Sequence, residues 1–120
     1  MNKRDEARIE RALAHHLTEA CEAAKAELIG FSWLTHEVDY TRFPHSLQVT
    51  WIFGTEAQKG AMRREDLERI RVLTDDALNQ AGIDIKALSA PVHLDSEEAC
   101  RKSDGGDWAR RLARRLAARH

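Results

Sequence analysis

The sequence predicts an α+β fold, with elements in the order α-β-β-α-β-α. A three-stranded sheet carries two main helices on one face, and a basic amphipathic helix closes the chain. Three observations predict it. Apolar residues recur every three or four positions across residues 3–28 and again across 62–81. They alternate with polar ones across 34–53 and 92–95. The chain then ends GGDWARRLARRLAARH, two glycines followed by an ARRL tetrad given twice.

The first helix carries Ile9, Leu13, His16, Leu17, Ala20, Cys21, Ala24 and Leu28 on one stripe, and Gly30 is a stop signal. At about 1.5 Å per residue it is nearly 40 Å long. A strand of eight residues spans only about 26 Å, so the helix should overhang the sheet and offer its stripe to a second subunit.

WLTHEVDY-TRFPHS-LQVTWIFG follows as a β-hairpin. Pairing Val38 with Val49, His36 with Trp51 and Leu34 with Phe53 places all six on one apolar face. Asp39/Gln48, Glu37/Thr50 and Thr35/Ile52 then form a polar reverse face. The loop is Arg42–His45, with Pro44 where no ladder hydrogen bond is needed. Thr55 and Gln58 have capping-box spacing. Leu67, Ile70, Leu73, Ala77 and Leu78 stripe the second helix, and Gly82 stops it. Val92 to Asp95 is a short strand opened by Pro91, hence an edge strand. Ser96 with Glu97 and Glu98 caps a short helix through Lys102. Ser103–Gly106 reads as a linker, and Asp107 as N-cap of the last helix. Residues 1–104 are therefore expected to form the core domain and 105–120 a helix docked on it or on a second subunit.

The chain has 120 residues, 42% hydrophobic and 32% charged, which suits one domain with a well-solvated exterior. Its net charge of −1 is uneven: residues 101–120 carry +5 and the first hundred −6. Such a tail either folds back or reaches an anionic partner. Cys21 and Cys100 lie outside any CxxC pattern, which fits a reducing cytosol. No signal peptide or membrane span is evident, so the expected location is cytoplasmic, without a membrane partner.

In the tail, Trp108, Leu112 and Leu116 share one side of the helix, flanked by Ala109, Ala113 and Ala117. Arg110, Arg111, Arg114, Arg115 and Arg119 are read as the opposite half. Burying the three large apolar residues is worth roughly 1.5–3 kcal/mol each as an upper figure, which favours docking over a free helix. The expected dock is the second sheet face, where Trp33 and Ile52 break the polar pattern. Those five residues form the candidate interface. The five arginines form the candidate nucleic-acid site, since guanidinium groups suit phosphate.

Six histidines raise the question of metal. His15 and His16 are adjacent and are read as pointing to different sides of their helix. His36, on the apolar strand face, is read as packed and hydrogen-bonded to backbone. No H-x-x-x-H or C-x-x-C pattern accompanies them, so no metal site and no cofactor are expected. Glu37 and Asp39 are paired carboxylates on a strand, but a solvated face suits surface charges better than acid–base chemistry. GTEAQKG lacks the Lys-Ser/Thr ending of a P-loop. No catalytic residue and no enzyme activity are expected.

At GFSWLTHEVDYTRFPHSLQVTW and LDSEEACRKSDGGDWARRL, the chain resembles a small family of uncharacterised proteobacterial proteins. Some of its members are labelled Fis-type transcriptional regulators. That label implies a DNA-binding end of two short helices joined by a tight turn, where the residues here are read as one arginine-rich helix after Gly105-Gly106. The order α-β-β-α-β also resembles that of small KH-like ribosome-binding factors, without the GXXG loop by which KH domains clamp a nucleic-acid backbone. Two functions follow as expectations. One is a non-enzymatic, homodimeric interaction module. The other is an RNA- or DNA-associated protein, regulatory or ribosome-associated, working through its C-terminal arginines.

Overall fold

A computed structural model describes residues 1–118. Helix α1 (Lys3–Glu27) leads to strand β1 (Phe31–Glu37), and β2 (Gln48–Phe53) returns beside it. Then come α2 (Glu56–Gly60), α3 (Arg64–Gln80), β3 (Val92–Ser96), α4 (Glu97–Asp104) and α5 (Trp108–Ala118). The sheet order is β1-β2-β3, with β1 antiparallel and β3 parallel to the central β2. This is the predicted α+β fold, and β3 is the predicted edge strand.

Helices α1 and α3 cover one face of the sheet. Leu13, Leu17, Ala20 and Ala24 of α1 meet Val49, Trp51 and Phe53 of β2, with Ile70, Leu73, Ala77 and Leu78 of α3 completing the core. Trp51 keeps its indole N–H satisfied in that setting by donating to Thr74 Oγ1 at 3.1 Å, while Thr74 donates to Ile70 O at 2.7 Å. Thr74 thus holds a core position, and Leu67, expected in the stripe, is 38% exposed. The first two turns of α1, Lys3–Arg8, contain no buried residue. Whatever part of α1 overhangs the sheet there is charged, so the expected apolar overhang is absent.

The hairpin pairs two residues away from the expected register. His36 faces Val49, Leu34 faces Trp51 and Trp33 faces Ile52. A two-residue slip leaves every side chain on its predicted face, which is why alternation alone does not exclude it. The connection decides the register. Asp39 caps a 3₁₀ turn at Tyr40–Arg42 by accepting from Thr41 N, and Ser46 Oγ bridges Asp39 N and O, so residues 38–47 leave the ladder.

Thr55 and Gln58 form the anticipated capping box, but on α2, a separate five-residue helix. Ser96 caps α4 through Ala99 N, and Asp107 accepts from Arg110 N at the start of α5. Ser103 and Asp104 belong to α4, so the expected linker is a turn of three residues. Gly105 (φ 61°) and Gly106 (φ 86°) adopt left-handed backbone there, and their N–H groups return to Arg101 O and Cys100 O. This turn folds α5 back on its own chain, across the second face of the sheet. All six residues of β2 are consequently buried.

Candidate functional site

Helix α5 turns Trp108, Arg111, Leu112, Arg115 and Leu116 toward the core, a stripe at i, i+3, i+4, i+7 and i+8. Leu112 is buried, and the Trp108 and Trp33 rings meet edge-on with centroids 5.4 Å apart. Glu97 joins them: one carboxylate oxygen accepts from Trp33 Nε1 and the other from Trp108 Nε1. Ile52 lies beneath, fully buried. All five predicted interface residues thus contribute to one buried or half-buried layer, within a single chain.

The arginines depart from expectation. At about 100° per residue Arg115 lies only about 20° from Trp108, at the edge of the apolar sector. Arg111 and Arg115 point inward and meet Asp95 of β3, whose side chain is 3% exposed. Arg111 forms a two-pronged pair with Asp95 (Nε–Oδ2 2.7 Å, Nη2–Oδ1 3.0 Å) and gives its remaining fork to Asp104 Oδ2 at 2.8 Å. Arg114 also forks onto Asp104, a carboxylate with 0% of its side chain exposed. Arg110 and Arg114 stand outward, 64% and 56% exposed, with Arg110 3.7 Å from Asp104. Arg119 lies outside the described residues.

These pairs set the charge states. Hydrogen bonds from Arg114 and then Arg111 hold the Asp104 carboxyl down at about 2, against the opposing effect of burial. Burial pushes Asp95 up, but bonds from Arg111, Arg115 and Ser96 N outweigh it and leave its pKa below the ordinary value. The Arg111 guanidinium is driven further up, first by Asp95. The arrangement is a clasp that fixes α5 to β3 and α4 with matched charges.

A second polar cluster ties α1 to the hairpin. His36 Nε2 lies 2.9 Å from Glu10 Oε2, and Tyr40 donates its hydroxyl to Glu10 Oε1. His36 therefore bonds to a carboxylate and not to backbone, because α1 passes directly over β1. Burial, then Glu10, raises the Tyr40 pKa well above its usual value. Glu37 is raised by burial, and Asp39 sits in the turn beyond the strand, so they do not act as a strand-borne carboxylate pair. Both cysteines are free thiols; Cys100 is buried, and burial raises its pKa, which makes it unreactive.

Sequence reasoning missed two further places. His15 and His16 do not diverge: their rings meet edge-on with centroids 4.9 Å apart, and Glu19 lies beside both. Just past the C-terminal end of α1, Ile29 is 93% exposed and borders a cavity of about 390 Å³ lined also by Leu28, Ala61 and Met62 and by Glu27, Gln58, Arg63 and Asp66. The available signal was an isoleucine placed between the last buried position of α1 and Gly30, where a turn needs no apolar side chain. Among the described residues no helix is long and apolar enough to cross a membrane. Neither a protein-family model, nor a curated protein, nor a solved structure matches the chain.

Proposed function

We propose that the chain is a non-enzymatic, cytoplasmic interaction module that works as a homodimer through the Ile29 patch. One observation carries this: an almost fully exposed isoleucine bordering a cavity lined by both apolar and charged residues. An isolated apolar residue needs no explanation, but a knob adjoining a socket suits a two-fold contact in which each Ile29 enters its partner's socket. Arg63 on the rim, with Glu27 and Asp66, supplies both signs of charge for two copies related by that axis. The Trp33/Ile52 face no longer supports a dimer, because α5 of the same chain covers it.

The expected result at tens of micromolar is a dimer by light scattering and a monomer for Ile29→Asp. A wild-type monomer overturns the proposal.

The RNA- or DNA-associated alternative gains one supporting feature. Helices α4 and α5, joined by the turn Gly105–Asp107, have the helix-turn-helix outline of a Fis-type end. The commitment of Arg111, Arg114 and Arg115 to Asp95 and Asp104 weighs against it, since few donors are left for phosphate. Binding to duplex DNA or RNA at low salt that falls steeply as salt rises, and is lost with Arg110→Ala and Arg114→Ala, would favour this alternative.

A further inference from the structure

We infer that His15, His16 and Glu19 form a binding site for a divalent transition-metal ion, at the groove between α1 and α3. The ring nitrogens and the carboxylate oxygen all lie within 4.8 Å of one another. Glu19 Oε1 is 3.1 Å from His16 Nδ1 and 3.7 Å from His15 Nε2. Donors held about 2.1 Å from a zinc ion stand about 3–3.4 Å apart around it, so the two distances to Glu19 need to change little, and the two ring nitrogens, within 4.8 Å, come together by side-chain rotation. The backbone beneath them is rigid: Leu13 and Leu17, both buried, seat this turn of α1 in the core.

The donor set selects the ion. Two imidazoles and one carboxylate suit zinc, cobalt, nickel or copper, whereas calcium and magnesium prefer oxygen alone. Three protein ligands leave coordination positions open. These border a cavity of about 180 Å³ lined by His16, Glu19, Asp76 and Gln80. Asp76, brought by α3, adds a negative charge to the lining of that cavity, which favours a cation. The site lies in the middle of α1, apart from the Ile29 patch at its end, and it does not depend on the dimer.

The test uses protein carrying no histidine tag, titrated with Zn²⁺ by calorimetry and with Co²⁺ by visible absorption. One ion per chain with a micromolar Kd is expected. His15→Ala and His16→Ala should each weaken binding by about tenfold or more, as loss of one of three ligands does, while His45→Ala, in the exposed hairpin loop, leaves it unchanged. His16 is only 21% exposed, so Glu19→Gln, at a 61% exposed position, gives the same readout without disturbing the packing. A millimolar Kd for the wild type, or His15→Ala and Glu19→Gln proteins that bind as tightly as it does, overturns the site.

Discussion

Asp104 combines two properties that rarely coexist, a fully covered side chain and a permanent negative charge. The forks of Arg111 and Arg114 make that possible, and they make folding sensitive to acid. The Asp104 carboxyl titrates at about 2 in the folded chain against an ordinary 3.8. Between those values the unfolded chain takes up a proton that the folded chain refuses, so stability falls as pH falls through that window. Above it the contribution is complete. The urea midpoint should therefore be lower at about pH 3 than at about pH 5. Asp104→Asn should be less stable throughout but lose less over that interval, because the group that titrates is gone. Asp95 acts in the same direction, since its folded pKa is also lowered, so the variant reduces the acid sensitivity without abolishing it. An Asp104→Asn protein with wild-type acid sensitivity would contradict this account.

The same charges define what α5 does as an element. Its stripe combines three apolar side chains with two guanidinium groups, and the two inward arginines differ in consequence from the outward Arg110. Removing one member of a covered ion pair strands its partner, at a cost of about 3 kcal/mol. Arg111→Met keeps most of the apolar stem but leaves Asp95 with Arg115 as its one guanidinium partner, beside Ser96 N, so a loss of that order is expected in urea denaturation. Arg110→Ala, at an exposed position, should change stability by no more than about 0.5 kcal/mol. Equal effects of the two substitutions would refute the clasp. Helix periodicity made the helical stripes and the docking of Trp108, Leu112 and Leu116 legible, because burial of apolar residues leaves a 3.6-residue trace. The same periodicity already sets Arg115 beside Trp108, but it could not name a partner for Arg111 or Arg115, since folding brings that partner close: Asp95 is sixteen and twenty residues away in the chain. The hairpin has the same limit. Alternation assigned the faces of β1 and β2, whereas the register depended on Asp39 and Ser46 closing the connection.

For the whole molecule, the intramolecular docking of α5 changes which surfaces remain for association. One sheet face is occupied by α1 and α3, the other by α5, and the first two turns of α1 are charged. Among the described residues Ile29 is the most exposed large hydrophobic, and with its neighbouring cavity it is the feature proposed to meet a second copy. A homodimer couples folding to concentration, because the associated state is favoured by mass action while the unfolded chains are separate. The wild-type Tm should therefore rise as protein concentration is raised about a hundredfold through the micromolar range. The Tm of Ile29→Asp should not move with concentration, and its folded circular dichroism spectrum should match that of the wild type, since a side chain 93% exposed in the single chain contributes little to the core. A dimer held by some other surface would behave differently, with both proteins showing the same concentration dependence. Such a result would displace the contact from Ile29 even if light scattering found two chains, because the knob would then be shown to lie outside the region that the partner covers.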